Sequence, residues 1–189
     1  MRNRKVIVTA FLLVAVLILG VGYAAVTDIL DITGTSEVSQ AGAEKAFNED
    51  IYFDGVKNAE GSFVESYVGT GYSARVNADN NDKASFTVTG LEGAGDSVTI
   101  TYRVVNKGDL DAVVSVKSST NSNDEYFKVE YFVNGSSTAL DLTSGTTMGT
   151  IAHTDGQMEI TVVVTLRKTP TDTQSLTSTF EFVATGVDA

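Results

Sequence analysis

From Tyr72 onward, apolar side chains return at every second position, and this alternation limits the fold more than any other feature of the chain. Val98, Ile100, Tyr102 and Val104 alternate with Thr99, Thr101, Arg103 and Val105. A period of two puts one set of side chains on a core and the other toward water in an extended strand, whereas a helix would scatter both sets around its axis. The pattern recurs at Tyr72, Ala74, Val76 and Ala78, at Phe86 and Val88, at Ala112, Val114 and Val116, and at Phe127, Val129, Tyr131 and Val133. It is longest at Met158, Ile160, Val162, Val164 and Leu166 and at Leu176, Phe180, Phe182 and Ala184. Thr and Val, whose branched Cβ suits a pleated surface, fill these runs.

Turn residues separate the runs: Gly90 to Gly95, Lys107-Gly108-Asp109, Asn134-Gly135, Asp155-Gly156, and a polar stretch from Arg167 to Gln174 that holds Pro170. Asn-Gly and Asp-Gly predict tight hairpins, because both central residues tolerate positive φ. Ala43 to Phe47 predicts one turn of helix, while Asn121 to Glu125 and Ala78 to Lys83 predict solvated loops. About eight short strands joined by hairpins and longer loops predict an all-β domain over 39–189. Its expected form is a two-layer antiparallel β-sandwich with jelly-roll-like or immunoglobulin-like topology. At 189 residues the chain is long enough to bury such a core as one domain.

The amino terminus follows a different rule. Arg2, Arg4 and Lys5 precede an apolar run from Val6 to Val21, and Gly22-Tyr23-Ala24 places small residues at the −3 and −1 positions of a cut between Ala24 and Ala25. This predicts a signal helix over 1–24 removed by a signal peptidase, so that the membrane is met only before cleavage and the product is secreted to the cell surface or matrix. The rival reading is a retained span over Val6 to Val26, since about 20 apolar residues cross a bilayer. Gly20, Gly22 and Tyr23 thin its far end and favour cleavage. Of 13 basic residues, the signal carries Arg2, Arg4 and Lys5 and no acid, so the net charge of −11 becomes −14 on export.

Composition removes most chemistry. No Cys is present, which excludes disulfides and thiolate metal sites, and the solitary His153 excludes multi-histidine zinc motifs and would have to serve any Ser-His-Asp triad. Its place beside Thr154-Asp155-Gly156 predicts an exposed turn residue. A net charge of −11 opposes nucleic acid as a partner, since phosphate binding needs clustered cations. Asn77, Asp79, Asn80, Asn81 and Asp82 offer oxygen ligands for calcium, as do Asp109 and Asp111, but neither group has EF-hand spacing and a polar turn explains both. Gly90 to Gly95 precedes a strand and matches no phosphate-binding fingerprint. Asn134-Gly135-Ser136 is formally a glycosylation sequon in a tight turn. The residues predict no catalytic site, no cofactor and no metal.

What remains is the segment after the cut. Over 25–38, Val26, Leu30, Ile32 and Val38 share one face of an extended chain, interleaved with Asp28, Gly34 and Ser36. It reads either as the first strand of its own sandwich or as a strand given to a neighbour. Leu19-Gly20-Val21-Gly22-Tyr23-Ala24-Ala25-Val26-Thr27-Asp28 resembles the SipW-type signals of the TasA and camelysin (CalY) family. Ser85 to Leu91, Gly95-Asp96-Ser97-Val98, Tyr102 to Gly108 and Phe180 to Thr185 are similar to that family's strands and turns, although Ala94 stands where a proline often precedes Gly-Asp and a long polar tail is lacking. The resemblance implies a secreted, non-enzymatic subunit that polymerises head to tail with itself by inserting its amino-terminal strand into the next subunit. Carried over by position, the donor strand is 25–38 with Val26, Leu30, Ile32 and Val38 as anchors. Camelysin relatives described as metalloendopeptidases give a second expectation, which one His and no Cys support poorly. A monomeric adhesin or binding sandwich is a third.

Overall fold

The structure, a computed structural model, describes residues 49–76 and 82–187. Eleven strands make two antiparallel sheets. One has five strands in the order β2 (Phe63–Val64), β1 (Ile51–Lys57), β6 (Ser97–Asn106), β10 (Gly156–Leu166) and β8 (Phe127–Val133). The other has six, in the order β3 (Ser66–Gly69), β4 (Tyr72–Val76), β5 (Lys83–Thr89), β11 (Ser175–Val187), β7 (Asp111–Asn121) and β9 (Thr147–Ile151). This is the two-layer sandwich that the alternation predicts. Ile100, Tyr102 and Val104 face Phe86, Val88, Val114, Val116 and Leu176 across one core, all at most 3% exposed. Each such side chain withdrawn from water contributes roughly 1.5–3 kcal/mol.

Rings fill the centre. Phe53 meets Tyr102, Phe180 and Phe182 edge-on, with centroids 5.8, 6.4 and 5.1 Å away, and Tyr131 stacks on Phe180 at 5.0 Å. Two buried phenols also tie sheet to sheet. Tyr102 Oη donates to the Ser85 carbonyl at 2.8 Å, and Tyr131 Oη lies 3.2 Å from Ser178 Oγ. Burial pushes both phenols above their usual range, Tyr102 furthest, so the hydroxyls stay protonated as these bonds require.

The connections correct the expected hairpins. From β5 to β11 the chain crosses to the opposite sheet at every step, so no two consecutive strands in that stretch pair with each other. Asn134 and Gly135 do take positive φ, 48° and 73°, and Ser136 N closes the turn on the Val133 carbonyl. The chain beyond bonds once to β8, through Leu140 N to the Tyr131 carbonyl, before β9 joins the other sheet. At Asp155-Gly156 the positive φ belongs to Thr154 and Asp155, at 54° and 66°. Gly156 is needed for a different reason, because a Cβ there would overlap the Ala152 carbonyl.

Four strands lie outside the predicted runs: β1, β2, β3 and β9. In β1 a register shift between Phe53 and Gly55 breaks the alternation, and β2 passes so close that a Cβ on Gly55 would sit 2.9 Å from Val64 N. Two predicted loops also shorten, since Lys83 begins β5 and Asn121 ends β7. The helical turn at 43–47, Ala78 and the signal helix lie outside the described residues.

Candidate functional site

The cleavage residues Ala24 and Ala25 and the anchors Val26, Leu30, Ile32 and Val38 lie outside the described residues, as do Asn77, Asp79, Asn80 and Asn81. Asp82 is described, and its carboxylate takes the Lys117 ammonium at 2.9 Å. Among the described residues no three His, Asp or Glu side chains come together to hold a metal ion.

His153 is half-exposed on the turn before β10, in line with the sequence, but it is not idle. Asp111 Oδ1 accepts its backbone N–H at 2.7 Å and faces its Nδ1 at 2.6 Å. The backbone bond and then the ring hold the Asp111 carboxyl below the usual range. An Asp-His pair of this kind also occurs in Ser-His-Asp triads, but among the described residues no serine hydroxyl bonds to the His153 ring.

One residue that the sequence reading did not single out organises this end of the molecule. Asn106, the last residue of β6, is fully buried. Its Nδ2 donates to the carbonyls of Leu110 at 2.8 Å and Ile151 at 3.3 Å, its Oδ1 accepts Gly108 N at 3.0 Å, and its own carbonyl accepts Asp155 N. The side chain therefore joins the β6–β7 turn to the end of β9. Gly108 fits beside it, two residues on, and the Asn106-Lys107-Gly108 spacing was the available signal.

At the other end, Asp96 Oδ2 accepts Glu92 N and Gly93 N, which closes the glycine turn and depresses the Asp96 carboxyl. The outer faces carry the charge as pairs. Glu181 meets Lys83 at 2.7 Å and Lys117 at 3.5 Å, so its carboxyl is lowered, chiefly by Lys83. Arg103 bonds Asp54 while its guanidinium lies 4.1 Å from the Phe63 ring centroid, clamping the short β2 onto the sheet. Exposed pairs of this kind contribute at most about 1 kcal/mol each and leave the net acidity in place.

The sheet edges are the remaining chemistry. On one flank, β2 and β3 run on through Glu65 from one sheet to the other, and Val76 N donates to the Glu65 carbonyl. On the opposite flank, β9 pairs with β7 only from Ala112 to Ser115, and β10 alone pairs with β8. Among the described residues, Lys117–Asn121 of β7 therefore has a strand on one side only, β11, whereas β8 pairs with β10 and meets the 138–142 segment on its other side through Leu140 N and the Tyr131 carbonyl. A strand with a free side presents unpaired N–H and C=O groups to any extended chain.

No family model and no curated protein matches this chain. The functional reading therefore rests on the residues and the geometry.

Proposed function

We propose that this protein is a secreted structural subunit, which acts by assembling with copies of itself into fibres and not by catalysis. In this reading 25–38, freed by cleavage between Ala24 and Ala25, adds as a strand to the sandwich of the next copy, with Val26, Leu30, Ile32 and Val38 as its anchors. The observation that supports it is the flank of β7 over Lys117–Asn121, which no strand covers among the described residues, on a sandwich whose described core runs from Ile51 to Ala184. Lack of a metal-ligating cluster among the described residues keeps the peptidase alternative without a site of its own there.

The energetics permit assembly. Burying four such anchors contributes on the order of 6–12 kcal/mol. Ladder hydrogen bonds add to this, and association costs roughly 4–15 kcal/mol. Assembly should then depend steeply on single anchors. Leu30→Asp with Ile32→Asp should leave a domain folded by circular dichroism that forms no fibres by electron microscopy. Wild-type fibres from that double variant would overturn strand donation. The exported charge of −14 also repels neighbouring copies over about 10 Å at 0.1 M salt. Raising salt or adding a divalent cation should increase lateral bundling, measured by light scattering; bundling that ignores both removes charge as its control.

A further inference from the structure

The bulge in β7 sends polar atoms where the alternation would send apolar ones. Up to Val116 the even residues Ala112, Val114 and Val116 point inward and are fully buried. Between Glu181 and Phe182 the pairing shifts from Ser118 to Val116, which adds a residue to β7 and exchanges the faces. The odd residues then turn inward, Ser119 opposite Phe180 and Asn121 opposite Ser178. Ser119 Oγ and Asn121 Oδ1 are shielded from solvent; among the described residues Asn121 Oδ1 has no hydrogen-bond partner, and Ser119 Oγ has only a loose approach to the Tyr131 phenol. Beside them lies the buried Tyr131–Ser178 hydroxyl pair, with the Ser119 hydroxyl close to the same phenol.

We infer that these four side chains form an internal hydration site, in which one water molecule bridges Ser119 Oγ, Asn121 Oδ1 and the Tyr131–Ser178 pair. The donor inventory favours water over the alternatives. Asn121 Oδ1 is an acceptor only, so its partner must donate, while Ser119 brings one proton and free lone pairs. Water donates twice and accepts twice, and buried waters commonly serve two to four such groups. A bridging water restores most of what a direct hydrogen bond would give, whereas a shielded carbonyl left unmet forfeits its solvation. A divalent cation fits poorly, because all four side chains are neutral and hard cations are held by carboxylates. Among the described residues, no strand pairs with Lys117–Asn121 of β7 on the side away from β11, so the site lies beside an uncovered edge.

The test is a crystal structure of the full chain, purified in detergent on account of Val6 to Val21, at about 1.2 Å or better, where side-chain amides and hydroxyls can be oriented. One solvent peak within about 2.6–3.2 Å of both Ser119 Oγ and Asn121 Oδ1 is the expected result. Three results overturn the site: no peak, with Ser119 rotated onto Tyr131; a peak with the short, many-fold coordination of a metal ion; or a side chain from a neighbouring copy in its place. In solution, a water cross-peak to the Ser119 or Asn121 amide should appear in the wild type and vanish in Asn121→Leu. If that variant does not fold, a wild-type cross-peak supports the site and its absence counts against it.

Discussion

Two of the places where polar side chains enter the core are treated in opposite ways. At the β6–β7 corner, Asn106 is fully buried and its amide is bonded on both sides, through Leu110, Ile151 and Gly108. At the β7 bulge, Ser119 Oγ and Asn121 Oδ1 are shielded too, but among the described residues Asn121 Oδ1 finds no partner and Ser119 Oγ only loosely approaches the Tyr131 phenol. A buried amide whose groups are all matched holds three segments in one arrangement, whereas an unmatched one leaves its desolvation cost standing. The first is a fastener; the second depends on something added from outside.

The contrast is sharpest if the fastener is removed. Asn106→Leu orphans the Gly108 N–H and the Leu110 and Ile151 carbonyls, which should cost about 3 kcal/mol or more at roughly 1–3 kcal/mol for each orphan. For a chain of this size that lowers the thermal midpoint by about 6–12 °C, as calorimetry would show. An unchanged midpoint would break the comparison. Gly156→Ala, at the residue that pairs with Asn106 across β6 and β10, forces the backbone away from Ala152 and should cost about 1–3 kcal/mol. Ser119→Ala at the opposite end removes a hydroxyl that only loosely approaches the Tyr131 phenol, so urea denaturation should show a change within about 1 kcal/mol.

The smallest effect belongs to the exposed pair beside the Asn106 corner. His153 holds the Asp111 carboxyl low, so the pair stabilises the fold above the ordinary carboxyl pKa and loses that contribution as pH falls through the depressed value. Below about pH 4, Asp111→Asn should lose thermal stability less steeply with acid than the wild type. Identical acid slopes would assign the pair no part in stability.

The alternating runs were legible because each strand from β4 onward, β9 and the far end of β7 excepted, keeps one face on the core: Met158 to Leu166 is buried at every second residue, as its spacing requires. The sequence hid the strands that break phase. In β1, Phe53 and Val56 are three apart across the Gly55 bulge, and β9 is five residues long with Gly149 at its centre. Ser119 and Asn121 read as a polar strand end because the extra residue at the bulge, which turns them inward, becomes visible only when β7 is set against β11. Turn chemistry was readable and pairing was not: Asn134-Gly135 makes its turn, but the next strand, β9, joins the other sheet by pairing with β7, a choice that the two residues of the turn do not set. Of the candidate site, the charge and the lone histidine could be read directly, whereas the bonds of Asn106 depend on Leu110 and Ile151 arriving from two other segments.

The order of strands bears on how the chain acquires its shape. The last of the described strands, β11, lies between β5 and β7, and β10 lies between β6 and β8. Neither sheet can close until the carboxyl-terminal part of the chain exists, so synthesis and folding cannot proceed in step, and pairings this distant in sequence form slowly, in milliseconds to seconds. Until β10 and β11 emerge both sheets stay open, and an open chain is one that a narrow pore can still thread.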